Sequence, residues 1–225
     1  SRDPRVREDA FRLYFGAFEQ FKNTLTALYS GNVQMDNFQA VTRHYPDACT
    51  ASLDGNNVPV SVYDSLVSAV HEALPDMRRY LEIRRKRLGL EELHLCDLYT
   101  PIVENVEFPV SFAESRDLVK KALLPLGAEY QTLLDQAYDE KWMDVYENKG
   151  KDTGAFSCGI YGVHPYVLLN YTDTLEDAFT VAHELGHSMH SYFSDRANAY
   201  ANAGYSLMVA EVASTVNEVL LSRYL

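Results

Sequence analysis

The chain has 225 residues, 47% of them hydrophobic and 23% charged, with a formal net charge of −12. That is enough for a sizeable core, and the composition is that of a globular protein. The negative balance argues against nucleic acid and anionic membrane surfaces, whose recognition starts from a positive patch.

Other global features narrow the class further. The one basic cluster, "RRYLEIRRKRLG" at 78–89, sits where a helix C-terminus is expected and suits its dipole. Cys49, Cys96 and Cys158 are odd in number, far apart and not in CxxC form, which fits free thiols in a reducing compartment. A cytoplasmic location is therefore expected. No run reaches the length of a membrane span, and no signal-peptide pattern is present. The start "SRDPRVRED" and the uncapped end "NEVLLSRYL" lead us to expect a piece of a longer protein.

Helices dominate the pattern. Asp3 and Pro4 form an N-cap and first-turn pair for a helix carrying Phe11, Tyr14, Phe15, Phe18, Phe21 and Leu25, expected to stop near "SGN" at 30–32. A second helix is expected after Asp36, then a loop at 54–59. Ser61 with Asp64 reads as a capping box for a helix to about Ala73, and another is expected from Pro75 to Leu88. The stretch 98–112, "LYTPIVENVEFPVSF", reads as extended and interrupted by proline. Ser111 with Glu114 caps a helix to Leu124, and a further helix runs to about Tyr138. Residues 147–159 read as a glycine-bearing loop, and "IYGVHPYVLLNY" at 160–171 as a short β segment.

Next comes "TDTLEDAFTVAHELGHSMHSYF", with Thr174 as N-cap and Asp177 closing a capping box. Phe179, Ala182, Leu185, Met189 and Phe193 give the helix an apolar side. His183 and His187, four apart, share a face and can aim two imidazoles at one ion. His190 lies seven beyond His183, about 10.5 Å along the axis, too far to join them. With Glu184 this is HExxH on a helix: two neutral imidazoles for Zn²⁺ and a carboxylate that reaches the metal's water. Gly186 costs about 1 kcal/mol inside a helix. The expected offset is close approach of a neighbouring backbone, such as the preceding strand.

A third ligand is needed. No histidine follows His190, and Asp195 is too near in sequence to return easily to the metal. The last helix, "GYSLMVAEVASTVNEVLLSRYL", has a broad apolar face of Val209, Val212, Ala213, Val216, Val219 and Leu220. Glu211, Ser214, Thr215 and Glu218 form a polar stripe at 0, +3, +4 and +7. An unpaired Glu211 carboxylate in the apolar turn "LMVAEVA" would be costly to bury, and a cation would offset that cost. The alternative is that the stripe faces solvent.

The segments "SLDGNNVPVSVYDSL", "LHLCDLYTPIV", "YGVHPYVLLNY", "FTVAHELGHSMHSYFS" and "AGYSLMVAEVASTVNEVLL" together resemble the oligoendopeptidase F group of thimet-oligopeptidase-like zinc metallopeptidases. The resemblance places that family's metal ligands on His183, His187 and Glu211 and its catalytic glutamate on Glu184. It implies one Zn²⁺ per chain and cleavage of internal bonds in short peptides, within a larger, mostly helical, two-lobed peptidase. The family's downstream tyrosine and histidine that contact substrate would fall beyond Leu225. The expected fold is mainly α, with a small β segment beside the zinc helix in an α+β zincin-like core. The chain would be an incomplete catalytic domain: a helical segment at 1–98 and a zinc-site segment at 99–225.

In that frame the metal lowers the pKa of its water and polarises the peptide carbonyl, while Glu184 carries the proton to the leaving amine. His164 and Tyr161, on the β segment, are candidates for substrate contact, His164 at the oxyanion. Thr215 and Glu218, with Ser214, are candidates to orient a ligand imidazole. The strand itself can bind an extended peptide by backbone pairing. The alternative is a catalytically inactive peptide-binding relative or an inactive fragment; the presence of Glu184 speaks against the former.

Overall fold

The computed structural model describes residues 1–103 and 108–225. The chain divides into two compact units, Ser1–Val106 and Glu107–Leu225. Most of it is helical, with one small sheet among the described residues. No helix among the described residues is long and apolar enough to cross a membrane.

The described residues of the first unit hold four α-helices: α1 (Pro4–Glu19), α2 (Lys22–Thr42), α3 (Ala48–Asp54) and α4 (Val60–Arg87). Asp3 caps α1 by accepting from the Arg5 amide at 2.9 Å, with Pro4 in the first turn. The expected stop at 30–32 does not occur. The break falls earlier, at Gln20 and Phe21, and α2 runs straight through Gly31. A lone glycine costs a helix only about 1 kcal/mol, which the rest of a 21-residue ladder absorbs. The unforeseen α3 is capped by Asp47, which accepts from the Thr50 amide at 2.7 Å. The expected break at Pro75 is also absent: α4 is continuous over 28 residues with Pro75 inside it. Ser61 lies within that helix rather than at its cap.

Little in this unit is buried. Phe15, Phe18, Phe21, Leu28 and Phe38 are exposed, and the Phe11–Phe15 ring pair at 4.4 Å packs along the helix surface. The tightest tie is polar. Arg7 donates to Asp97 at 2.8 and 2.5 Å, and Arg84 donates to the carbonyls of Asp97 and Thr100. This anchors α1 and α4 to the turn at Leu95–Asp97.

The second unit has a genuine core. Its elements are α5 (Phe112–Ala122), α6 (Ala128–Asp139), β1 (Met143–Asp144), β2 (Phe156–Cys158), β3 (Tyr166–Leu168), α7 (Leu175–Ala197) and α8 (Leu207–Tyr224). Of the stretch expected to be extended, 104–107 lie outside the described residues, and Pro109 bridges Thr174. The sheet order is β1-β3-β2. β1 runs parallel to β3 (Met143 opposite Val167), and β2 runs antiparallel to it (Ser157 opposite Val167). Two expectations change here. The loop at 147–159 ends in a strand, β2, and only three residues of the 160–171 segment pair, after a turn at Gly162 with φ of 85°. Strands of two and three residues carry too little alternation to be read locally.

Val119, Leu123, Leu134, Trp142, Val181, Leu185, Met189 and Leu221 fill the core. α8 turns a different face inward than its apolar pattern suggests. Val212, Val216 and Val219 are exposed, while Ala210, Ser214, Asn217 and Leu221 are buried. The reason is the closeness of α7. A methyl group on Gly186 would lie 2.7 Å from Ser214 Cα and 2.8 Å from the Ala213 carbonyl oxygen, both backbone atoms. Only small side chains fit such a crossing, so the backbone approached by Gly186 is α8 and not the strand. Buried Asn217 fixes the contact, donating to the Ala182 carbonyl and to the Tyr130 hydroxyl, each at 2.9 Å.

Gly186→Ala is therefore expected to destabilise the protein by about 1–3 kcal/mol through overpacking, although alanine is the better helix former. Gly31→Ala, where an added methyl meets nothing within 4 Å, is expected to stabilise by about 0.5–1 kcal/mol. Urea unfolding curves for the two variants against the parent check both signs.

Candidate active site

α7 carries the site, and its start is firmly set. Thr174 accepts from the Asp177 amide at 3.1 Å. The Asp177 carboxylate takes the amides of Thr172 and Thr174 at 2.9 and 3.0 Å and both their hydroxyls at 2.9 and 2.7 Å. Two turns on, His183 and His187 face the same way, with their Nε2 atoms 3.0 Å apart.

The crossing at Gly186 brings the first turns of α8 over these rings. Glu211 Oε2 lies 3.6 Å from each imidazole Nε2. A tetrahedral divalent cation bound at about 2.0–2.2 Å sets its ligands about 3.4 Å apart. Edges of 3.0, 3.6 and 3.6 Å are close to that, and the donor set of two imidazoles and a carboxylate suits such an ion.

The surrounding groups fix orientation and protonation. His183 Nδ1 meets Glu218 Oε1 at 2.5 Å. When Nδ1–H donates there, Nε2 presents its lone pair to the centre. Burial, with His183 alongside, holds His187 below the usual imidazole range and so favours its neutral form. Ser214 donates to Glu211 Oε2 at 3.0 Å, on the oxygen that faces the histidines. Thr215 spends its hydroxyl on the Glu211 carbonyl at 2.6 Å and so supports the turn rather than an imidazole.

Glu184 is buried, and its Oε2 has no hydrogen-bond partner among the described residues. Burial, with Glu211 nearby, pushes its carboxyl above the usual range against the opposing pull of His183. An unpartnered carboxylate oxygen beside a donor triad is poised to accept a proton. A cleft of about 1000 Å³ opens over this group, lined by β2, α7 and the start of α8.

The β-segment candidates separate. Tyr161 lines the cleft and donates to the Asn198 carbonyl at 3.0 Å. His164 does not line it. Its ring stacks on buried Trp142 at 5.1 Å, and its Nδ1 lies 2.8 Å from the Pro165 carbonyl. His190 stacks on Tyr205 at 3.8 Å and is not one of the three converging donors. Sequence reasoning missed the hydroxyl pair of Ser157 and Ser188, 2.8 Å apart, which ties β2 to α7. It also missed Tyr205, which meets Ser191 at 2.5 Å. Ser188 sits four residues after Glu184 and donates to its carbonyl at 2.9 Å, a spacing that could have flagged it. Nothing local flags Tyr205.

A model of peptidase family M3 matches residues 1–225. The chain is 44% identical over its full length to oligopeptidase PepF of Bacillus subtilis, covering 34% of that protein. It is 40% identical over 99% of its length to an oligoendopeptidase F homolog of Borreliella burgdorferi, covering 38% of it. The solved structure of oligoendopeptidase-F from Enterococcus faecium aligns with all of the chain and 32% of its own, at 34% identity and a TM-score of 0.63. The chain thus spans about a third of the length of these relatives.

The cap that starts α7 is open to test by pH. Burial would raise the Asp177 pKa, but the hydrogen bonds from Thr174 and Thr172 outweigh it and hold the carboxyl below its ordinary value. A depressed folded pKa contributes stability above the unfolded value of about 3.9, and loses it as pH falls through the folded value. Asp177→Asn is expected to cost about 1–2 kcal/mol at pH 7. Its deficit relative to the parent should shrink as pH drops below about 4, as read by denaturation at a series of pH values.

Proposed function

The chain belongs to peptidase family M3, and from that premise we propose that it is the zinc-binding catalytic part of a metalloendopeptidase that cuts short peptides. The observation that carries this is the convergence of His183, His187 and Glu211 from two helices, with the adjacent Glu184 in the same cleft and its Oε2 unpartnered among the described residues. In this reading the three side chains hold one Zn²⁺ per chain. The ion, when bound, supplies a Lewis acid for the scissile carbonyl and for an attacking water.

The chain's own residues do the rest. Glu184 takes the proton from the attacking water, because its Oε2 has no hydrogen-bond partner among the described residues. It then passes that proton to the leaving amine, which cannot depart as an anion. Its raised pKa suits a group that must both accept and return a proton. Glu218, accepting from His183 Nδ1–H, would hold the tautomer that a metal needs, and Ser214 would steady the Glu211 oxygen nearest the imidazoles. β2 is one of the two edge strands of the sheet, and Phe156 and Ser157 line the cleft. An extended substrate can pair with that edge through backbone hydrogen bonds, which are blind to sequence. The three cysteines are unpaired, in keeping with a reducing, cytoplasmic setting.

Native mass spectrometry of the zinc-loaded chain is expected to give one ion, lost in His187→Ala and Glu211→Ala. Glu218→Ala is expected to keep the site with zinc affinity 10–100-fold weaker. Zinc content unchanged in both ligand variants would sink the assignment. Chemistry is read separately, in the full-length protein with a quenched fluorescent peptide. Glu184→Gln should retain zinc and lose turnover by about 10²-fold or more. Full turnover in that variant would mean that another residue moves the proton.

A further inference from the structure

The triad occupies one end of a longer cleft. Its other end is formed by the last turns of α7 and the short segment that follows. There Asp195 lines the wall, half-buried. It has no hydrogen-bond or ion-pair partner among the described residues. The neighbouring cation is committed elsewhere: Arg196 donates to Glu129 at 3.0 Å and lies over the Tyr192 ring. Among the described residues no lysine or arginine lines the cleft, whereas Glu184, Asp195 and Glu211 do.

Two tyrosines frame the same end. Tyr161 and Tyr200 both line the cleft, with their rings edge to face at 5.3 Å. Tyr161 is held in place by its hydrogen bond to the Asn198 carbonyl. Tyr200 is largely exposed and presents its ring to solvent. An unpaired carboxylate that shares a cleft wall with aromatic rings is the chemistry that binds a cation on a flexible apolar stem. The carboxylate pairs with the charge, and the rings take the methylenes and add cation–π attraction.

We infer that the Asp195 end of the cleft is a subsite for a lysine or arginine side chain of the peptide. This rests on the peptidase reading for its placement. Asp195 lies eight residues beyond His187 on one helix, about 12 Å along the axis. An extended peptide advances about 3.3 Å per residue, so the basic residue falls three or four positions from the scissile bond. The chain's net charge of −12 acts in the same direction, drawing cationic peptides toward the cleft.

The test scans one lysine along a neutral peptide, with norleucine as the uncharged counterpart at each position. Binding is read calorimetrically on zinc-loaded, full-length Glu184→Gln protein, and cleavage on the protein with Glu184 intact. Lysine three or four positions from the cut, on one side, is expected to tighten Kd and raise kcat/KM about 10-fold. Asp195→Asn should erase that preference while peptides without lysine change less than 2-fold, and Asp195→Lys should transfer the preference to glutamate. A preference that survives Asp195→Asn, or none at any position in the binding assay, overturns the subsite. Lysine-dependent binding lost in Asp195→Asn without cleavage of any peptide would uphold the subsite and remove the peptidase reading instead.

Discussion

The structure of the second unit depends on the distance between α7 and α8 where Gly186 passes Ser214. A side chain at position 186 would meet backbone, so the two helices approach this closely only because glycine is there. That closeness is what lets Glu211, 24 residues beyond His187 in sequence, bring an oxygen within 3.6 Å of both imidazoles. It also explains the inverted burial on α8. Ser214 and Asn217 are inside because they are small or can hydrogen-bond across the crossing, and the valine row is left outside. A wider, valine-lined crossing would bury more apolar surface and would pull the carboxylate away from the histidines.

Several polar groups serve that crossing and the donor triad together. Asn217 ties the α8 backbone to Ala182, one residue before His183. Glu218, the next residue, reaches His183 Nδ1. Ser214 both packs against Gly186 and donates to Glu211. Three inward positions of α8, 214, 217 and 218, thus hold the helix, the Glu211 carboxylate and the His183 ring in one register. The hydroxyl pair of Ser157 and Ser188 does the corresponding work between β2 and α7. The proposed metal chemistry needs all of these, since a donor misplaced by about 1 Å loses much of its effect.

Local signals in the sequence were legible where their cause is local. The capping boxes at Ser111 and Thr174 each rest on a residue three positions away, and both are present. His183 and His187 share a face because of helical pitch alone. Glu211 stands out as a carboxylate in an apolar turn, but most of that turn is exposed, with the Glu211 side chain 47% accessible. The cost of burial is therefore not what brings it to the imidazoles; the helix crossing is. Misreadings arose where the cause is tertiary or cumulative. Gly31 and Pro75 are breakers by propensity, yet α2 and α4 continue through them. The burial of Ser214 over Val212 depends on a neighbour that periodicity cannot see. His164 looked like a site residue from its strand, but Trp142 offers its ring a flat partner elsewhere.

Zinc K-edge X-ray absorption on the zinc-loaded chain tests most directly the claim that two helices converge on one ion. The account predicts a four-coordinate site with two imidazole nitrogens, the remaining ligands being oxygen, at about 2.0–2.2 Å. A sulfur shell at about 2.3 Å, which would implicate Cys49, Cys96 or Cys158, would contradict it. So would an all-oxygen, six-coordinate shell without imidazole scattering.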